Sequence, residues 1–86
     1  MEIEFSPRAL NDLEKWRQAG NIKIQKKITE LINSILTTPF SGIGKPEPLR
    51  HQLAGLWSRR VTAEDRLVYE IKQDLLVIHS LKGHYK

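Results

Sequence analysis

Six large apolar residues set the first constraint on this chain. Ile24, Ile28, Leu31, Ile32, Ile35 and Leu36 recur at i, i+4, i+7, i+8, i+11 and i+12, the spacing of one face of an α-helix. Lys23, Lys26, Lys27 and Glu30 take the other side. Such a stripe has to be covered by apolar surface. Pro39 disfavours helical geometry in the residue before it, so the helix should stop near Thr37-Thr38. Upstream, Ser6 and Pro7 read as the N-cap and first residue of a shorter helix with the stripe Leu10, Leu13 and Trp16. Gly20-Asn21 ends that helix and opens a turn. Met1 to Phe5 alternates and reads as a short strand.

The C-terminal half of the chain supplies the covering surface. Pro39 to Pro48 reads as a loop with no helical or strand period, and Pro46 and Pro48 push Glu47 towards an extended conformation. Strands are expected at Leu49–Leu53 (a short edge), Leu56–Thr62, Arg66–Lys72 and Leu75–Leu81, the last apolar enough to be central. The short turns between them imply an antiparallel meander. Two amphipathic helices can share one face of that sheet while the other face stays wet. The expected fold is α+β: an N-terminal strand and two helices packed on one face of a mostly antiparallel sheet, as one domain over residues 1–86.

A net charge of +4 favours an anionic partner, nucleic acid or an acidic protein. With no cysteine, thiolate metal sites and disulfides are excluded. The N-terminus is charged and alternating rather than apolar, and no run approaches the ~18 apolar residues of a membrane span. A cytoplasmic protein with no membrane association is the expectation.

Period-two alternation sorts the strand side chains into faces. Trp57 and Val61 share one face with Leu67, Tyr69 and Ile71, and Arg59 falls at the rim of that face. His79 sorts with Val77 and Leu81 on the core side. Arg60, Arg66, Lys82 and His84 converge on the open face, and the loop carrying Glu47 crosses an end of the sheet to reach it.

RNA carries its own nucleophile, the 2′-OH. Cutting it without a metal needs a base for that proton, cations for the crowded phosphorane and an acid for the leaving 5′-oxygen. Glu47 suits the base. Arg66 and Arg60 suit the phosphate, because guanidinium forks match phosphate oxygens. His84 suits the acid, since an imidazole titrates near ~6.5. Tyr85 could orient the phosphate, stack on a base or share the acid role. Lys45, Arg59 and Lys82 complete the candidate substrate-binding set. His51 reads as surface, Trp16 and Trp57 as core anchors, and Lys23, Lys26 and Lys27 as a solvated helix face that could also meet RNA. No metal-ligand spacing or nucleotide-binding loop occurs, so no cofactor is expected.

The run Gly42-Ile43-Gly44-Lys45-Pro46-Glu47-Pro48-Leu49, followed by Leu53-Ala54-Gly55-Leu56-Trp57-Ser58-Arg59-Arg60-Val61, Arg66-Leu67-Val68-Tyr69 and His84-Tyr85, resembles the YoeB/Txe toxins of the RelE superfamily. Order and spacing match over nearly the whole chain. The resemblance implies a microbial-ribonuclease-like fold and the toxin of a bacterial type II toxin–antitoxin system, an endoribonuclease that cuts mRNA in the ribosomal A site. It implies Glu47 as general base, His84 as general acid, Arg66 as phosphate stabiliser and Tyr85 as an aligning group, with Arg60 and Lys45 assisting substrate binding. It also implies a YefM-like antitoxin whose tail folds over the toxin, contacts with 16S rRNA on the 70S ribosome, and homodimers. A non-catalytic ribosome blocker and a ParE-like gyrase inhibitor are the alternatives. Gly83, just before His84, should give the C-terminal end backbone freedom.

Overall fold

The fold is described from a computed structural model covering residues 1–83; His84, Tyr85 and Lys86 lie outside the described residues. The elements run β1 (Glu2–Phe5), α1 (Pro7–Gln18), α2 (Ile22–Thr37), β2 (Glu47–Pro48), β3 (Trp57–Arg60), β4 (Arg66–Lys72) and β5 (Leu75–Ser80). The strands form a five-stranded sheet in the order β1-β5-β4-β3-β2. Every pairing is antiparallel except that of β1, which runs parallel to β5.

Local chemistry places both helices where the sequence predicts them. The Ser6 hydroxyl accepts from Ala9 N at 3.0 Å, capping α1, and donates to His79 O at 2.8 Å, fastening that cap to β5. Asn21 caps α2 by accepting from Ile24 N at 3.1 Å. Ile28, Leu31 and Ile35 of α2 and Ala9 and Trp16 of α1 pack on Leu67, Tyr69, Leu76, Ile78 and Leu81. Each large side chain buried this way contributes ~1.5–3 kcal/mol. Leu10, expected in the α1 stripe, is 54% exposed; Asp12 is buried instead, because its carboxylate accepts from Leu81 N at 3.0 Å.

Two strand expectations need correction. The edge strand is Glu47–Pro48 rather than Leu49–Leu53, and His51–Leu53 forms a 3₁₀ turn. Pro48 has no N–H to give, which an edge strand tolerates, and His51 then turns the chain with φ 59°. In β5, Ser80 registers with Val68 and Ile78 with Tyr69, so His79 is a bulged extra residue. Ile78 and Leu81 therefore both reach the core, while Val77 and His79 belong to the helix-free face. His79 is half-buried there, its Nε2 2.8 Å from Glu70 Oε1, rather than on the core side as expected. Among the described residues no helix is long and apolar enough to cross a membrane.

Candidate active site on the helix-free face

Strand register assembles the site. Glu47 of β2 registers with Ser58 of β3, Ser58 with Val68 of β4, and Val68 with Ser80 of β5. Residues paired in this way point to the same face of a sheet. One rung further along, Arg60 registers with Arg66. Glu47 and the two arginines thus share the helix-free face, with Glu47 diagonal to Arg60 at a separation of ~7–8 Å. Ser58, Val68 and Ser80 are buried and floor the row. Like charges directly opposite one another destabilise a strand pair, so the Arg60–Arg66 rung disfavours the isolated sheet and favours a bound anion.

The side chains keep this arrangement open. Glu47 and Arg60 are exposed, and no hydrogen bond or ion pair joins either side chain to another described residue. Arg66 is half-buried and bends back over the β3–β4 turn, its Nη1 donating to the carbonyls of Thr62, Ala63 and Asp65, each at 3.4 Å. Those long bonds orient the guanidinium through one nitrogen, and a guanidinium has further donors to offer a phosphate. Lys45 is exposed, two residues before Glu47.

Arg59 does not belong to the substrate surface expected for it. It is fully buried on the helix side of the sheet, not at the rim. Its Nε donates to Tyr69 Oη at 3.3 Å, Nη1 to Ser34 Oγ at 2.7 Å and Ile43 O at 3.1 Å, and Nη2 to Thr38 O at 2.7 Å and Ser41 O at 2.8 Å. A guanidinium carries five N–H donors, and here all find acceptors. Three of those acceptors are backbone carbonyls of the loop between α2 and β2, so the buried cation supplies the hydrogen bonds that this loop lacks as regular structure. Tyr69 donates to the same loop, to Pro39 O at 2.6 Å. Burial pushes the Tyr69 hydroxyl pKa up from its ordinary value of 10.0, an effect Arg59 partly offsets.

The loop then feeds Glu47 into register. Gly44 O accepts from Arg60 N at 2.7 Å, one step before the β2 pairing begins. Gly44 has φ +82°, and a Cβ there would lie 2.6 Å from Leu31 Cδ2. Only glycine lets the backbone pass this close to α2 and β3. The Gly-Lys-Pro-Glu-Pro run is therefore a route: a close approach at Gly44, then two prolines that keep Glu47 extended on the sheet edge.

Lys82 also departs from expectation. Its Nζ lies 5.1 Å from the centroid of the Trp16 ring, a cation–π contact that draws it to α1 rather than to the arginine rung. Gly83, expected to loosen the chain end, is held at both backbone groups: its N–H donates to Asp65 Oδ1 at 2.8 Å and its carbonyl accepts from Arg66 N at 2.7 Å. His84 and Tyr85 fall outside the described residues. Lys23 and Lys26 face solvent on α2, in the helix layer across the sheet from Glu47. Sequence reasoning missed Asp12 and Asp65, since an acid within a helix or a turn carries no pattern that announces a distant backbone partner.

An exposed carboxylate one rung from two opposed arginines suits a phosphodiester. A family model described as YoeB-like toxin of bacterial type II toxin-antitoxin system matches residues 5–85. Toxin YoeB of Escherichia coli (strain K12) is 46% identical over 85 residues, which covers 99% of this chain and 100% of that protein. The YoeB dimer structure from Staphylococcus aureus has a TM-score of 0.90 at 43% identity, covering 99% of this chain and 98% of its own. The YoeB–YefM complex from the same organism has a TM-score of 0.89 at 44% identity, with coverage of 99% and 98%.

Proposed function

The chain belongs to the YoeB-like toxins of bacterial type II toxin–antitoxin systems, and from that premise we propose that it is an endoribonuclease that cuts mRNA in the A site of the ribosome and so halts translation. The observation that carries this reading is the register that puts Glu47 one rung from the opposed Arg60 and Arg66 on the helix-free face.

The proposed chemistry takes Glu47, Arg60 and Arg66 from that register, and His84 and Tyr85 from the family resemblance of the sequence. Glu47 takes the proton of the 2′-OH as the 2′-oxygen bonds to phosphorus. Arg66, with Arg60 beside it, carries the charge that builds on the phosphoryl oxygens. The P–O5′ bond breaks, His84 gives its proton to the departing 5′-oxygen, and Tyr85 aligns the phosphate between them. The products are a 2′,3′-cyclic phosphate and a 5′-hydroxyl, so protons and bonds balance without a metal or cofactor. Lys45 and Arg60 hold the flanking backbone. Each proton-transfer group is worth ~10²–10⁴-fold.

The partners follow the same premise. The Staphylococcus aureus YoeB–YefM complex supports a YefM-like antitoxin for this chain, and the YoeB dimer from that organism supports self-association. The test is cleavage of a defined mRNA on purified ribosomes. Glu47→Ala and Arg66→Ala, each with an unchanged melting transition, should lose ~10²-fold or more in rate. Wild-type rates from either folded variant would rule the mechanism out.

A further inference from the structure

After Ser80 the chain leaves the sheet, yet five backbone groups of the next three residues are hydrogen-bonded. Leu81 N donates to Asp12 Oδ2 at 3.0 Å, and Leu81 O accepts from Trp16 Nε1 at 2.9 Å. Lys82 O accepts from Arg8 Nη2 at 3.3 Å. Gly83 N donates to Asp65 Oδ1 at 2.8 Å, and Gly83 O accepts from Arg66 N at 2.7 Å. Side chains of α1 hold the first two residues of this stretch, and the β3–β4 turn holds the third.

Asp65 differs from an ordinary turn acid. Its Oδ2 accepts from Thr62 Oγ1 at 2.8 Å, and that hydroxyl oxygen accepts from Glu64 N at 3.1 Å and from Asp65 N at 2.9 Å. These bonds close the turn and orient the carboxylate. Its second oxygen, Oδ1, reaches 18 residues along the chain to Gly83. Gly83 is the residue that leads into His84. Its φ of +78° is a conformation that side-chain-bearing residues rarely adopt.

We propose that Asp65 is a positioning residue for the proton-donating end of the site: with Arg66 N it fixes both backbone groups of Gly83, the residue from which the sequence continues to His84 and Tyr85. The proposal rests on the assignment of His84 as general acid. Proton transfer to a leaving group requires hydrogen-bond geometry, and a misplacement of ~1 Å costs on the order of 10²-fold in rate. The proposed action runs through the backbone of Gly83; a loosening of the turn whose carbonyls orient the Arg66 guanidinium would instead slow cleavage whatever the leaving group.

A substrate that needs no acid separates positioning from general damage. Sulfur in place of the bridging 5′-oxygen at the scissile linkage gives a thiolate that departs unprotonated. On ribosomes carrying an mRNA with the ordinary linkage, Asp65→Ala should cut about 10–100-fold more slowly. On the sulfur linkage it should stay within about twofold of the wild type, with KM unchanged on both. Asp65→Asn, whose amide oxygen can still accept from Gly83 N–H, should recover most of the ordinary rate. His84→Ala measured alongside distinguishes the two levels. If sulfur does not rescue His84→Ala, the acid assignment falls and the positioning role falls with it. If His84→Ala is rescued while Asp65→Ala is slowed equally on both linkages, or on neither, only the positioning role is overturned.

Discussion

Arg59 Nε donates to the Tyr69 hydroxyl oxygen at 3.3 Å, and that hydroxyl donates onward to the Pro39 carbonyl at 2.6 Å. The two residues sit on neighbouring strands, and together they hold the loop that ends in Glu47. A buried ion is costly unless every hydrogen bond is met. Here all five N–H groups of the buried guanidinium are met, three of them by backbone carbonyls of the loop. The loop that carries Glu47 and the core of the protein are thus joined through one side chain.

Arg59→Leu should destabilise the fold by ~3–5 kcal/mol, because it removes five charge-assisted hydrogen bonds that fasten the loop to the core. Arg59→Lys should recover only part of that, since an ammonium offers three donors where five are used. Urea unfolding of the two variants checks the order. A stability loss below ~1 kcal/mol for Arg59→Leu would mean that the loop does not depend on this cation.

Tyr69 gives the stability a pH dependence on the alkaline side. Burial raises its folded pKa above 10.0, whereas the unfolded chain loses the proton near that value. Above about pH 10 the unfolded state binds fewer protons than the folded one, so stability falls as pH rises. Below about pH 10 this contribution is fully present. Denaturation curves from pH 8 to 11 should show the loss, and Tyr69→Phe should show less of it despite a lower stability at neutral pH.

Periodicity and capping chemistry make much of this fold legible in the sequence, and the departures share a cause. The helical stripe, the Ser6-Pro7 start and β4 at Arg66–Lys72 come directly from those two signals. Arg60 and Arg66 fall on the expected face because neither of their strands is interrupted before the β3–β4 turn. His79 does not, because a bulge carries no mark in residue types and reverses the parity on which the assignment depends. Residue type alone ranks a strand arginine as exposed, which is why Arg59 departs from its expected place. Its burial depends on five acceptors, four of them from residues 34–43. Long-range polar pairing of this kind has no period.

Glu70 and His79, paired elsewhere on the helix-free face, provide an internal control. Glu70 lies four residues along β4 from Arg66, ~13 Å away, with its carboxylate engaged by His79 at 2.8 Å and by Lys72 at 3.8 Å. Glu70→Gln should leave mRNA cleavage within about twofold and stability within ~1 kcal/mol. A collapse in activity with an intact melting transition would mean that the site extends further along the sheet than the Glu47 and Arg60–Arg66 rungs.

Cutting of RNA by Glu47 and the arginine rung, as opposed to mere occupancy of the ribosome, leaves new mRNA ends. Mapping mRNA 5′ ends in cells after induction addresses it directly. The wild type should produce new 5′-hydroxyl ends phased to codons within coding sequences, and folded Glu47→Ala should produce none while still associating with ribosomes. Growth arrest by the wild type without such ends, or the same ends from Glu47→Ala, would contradict it.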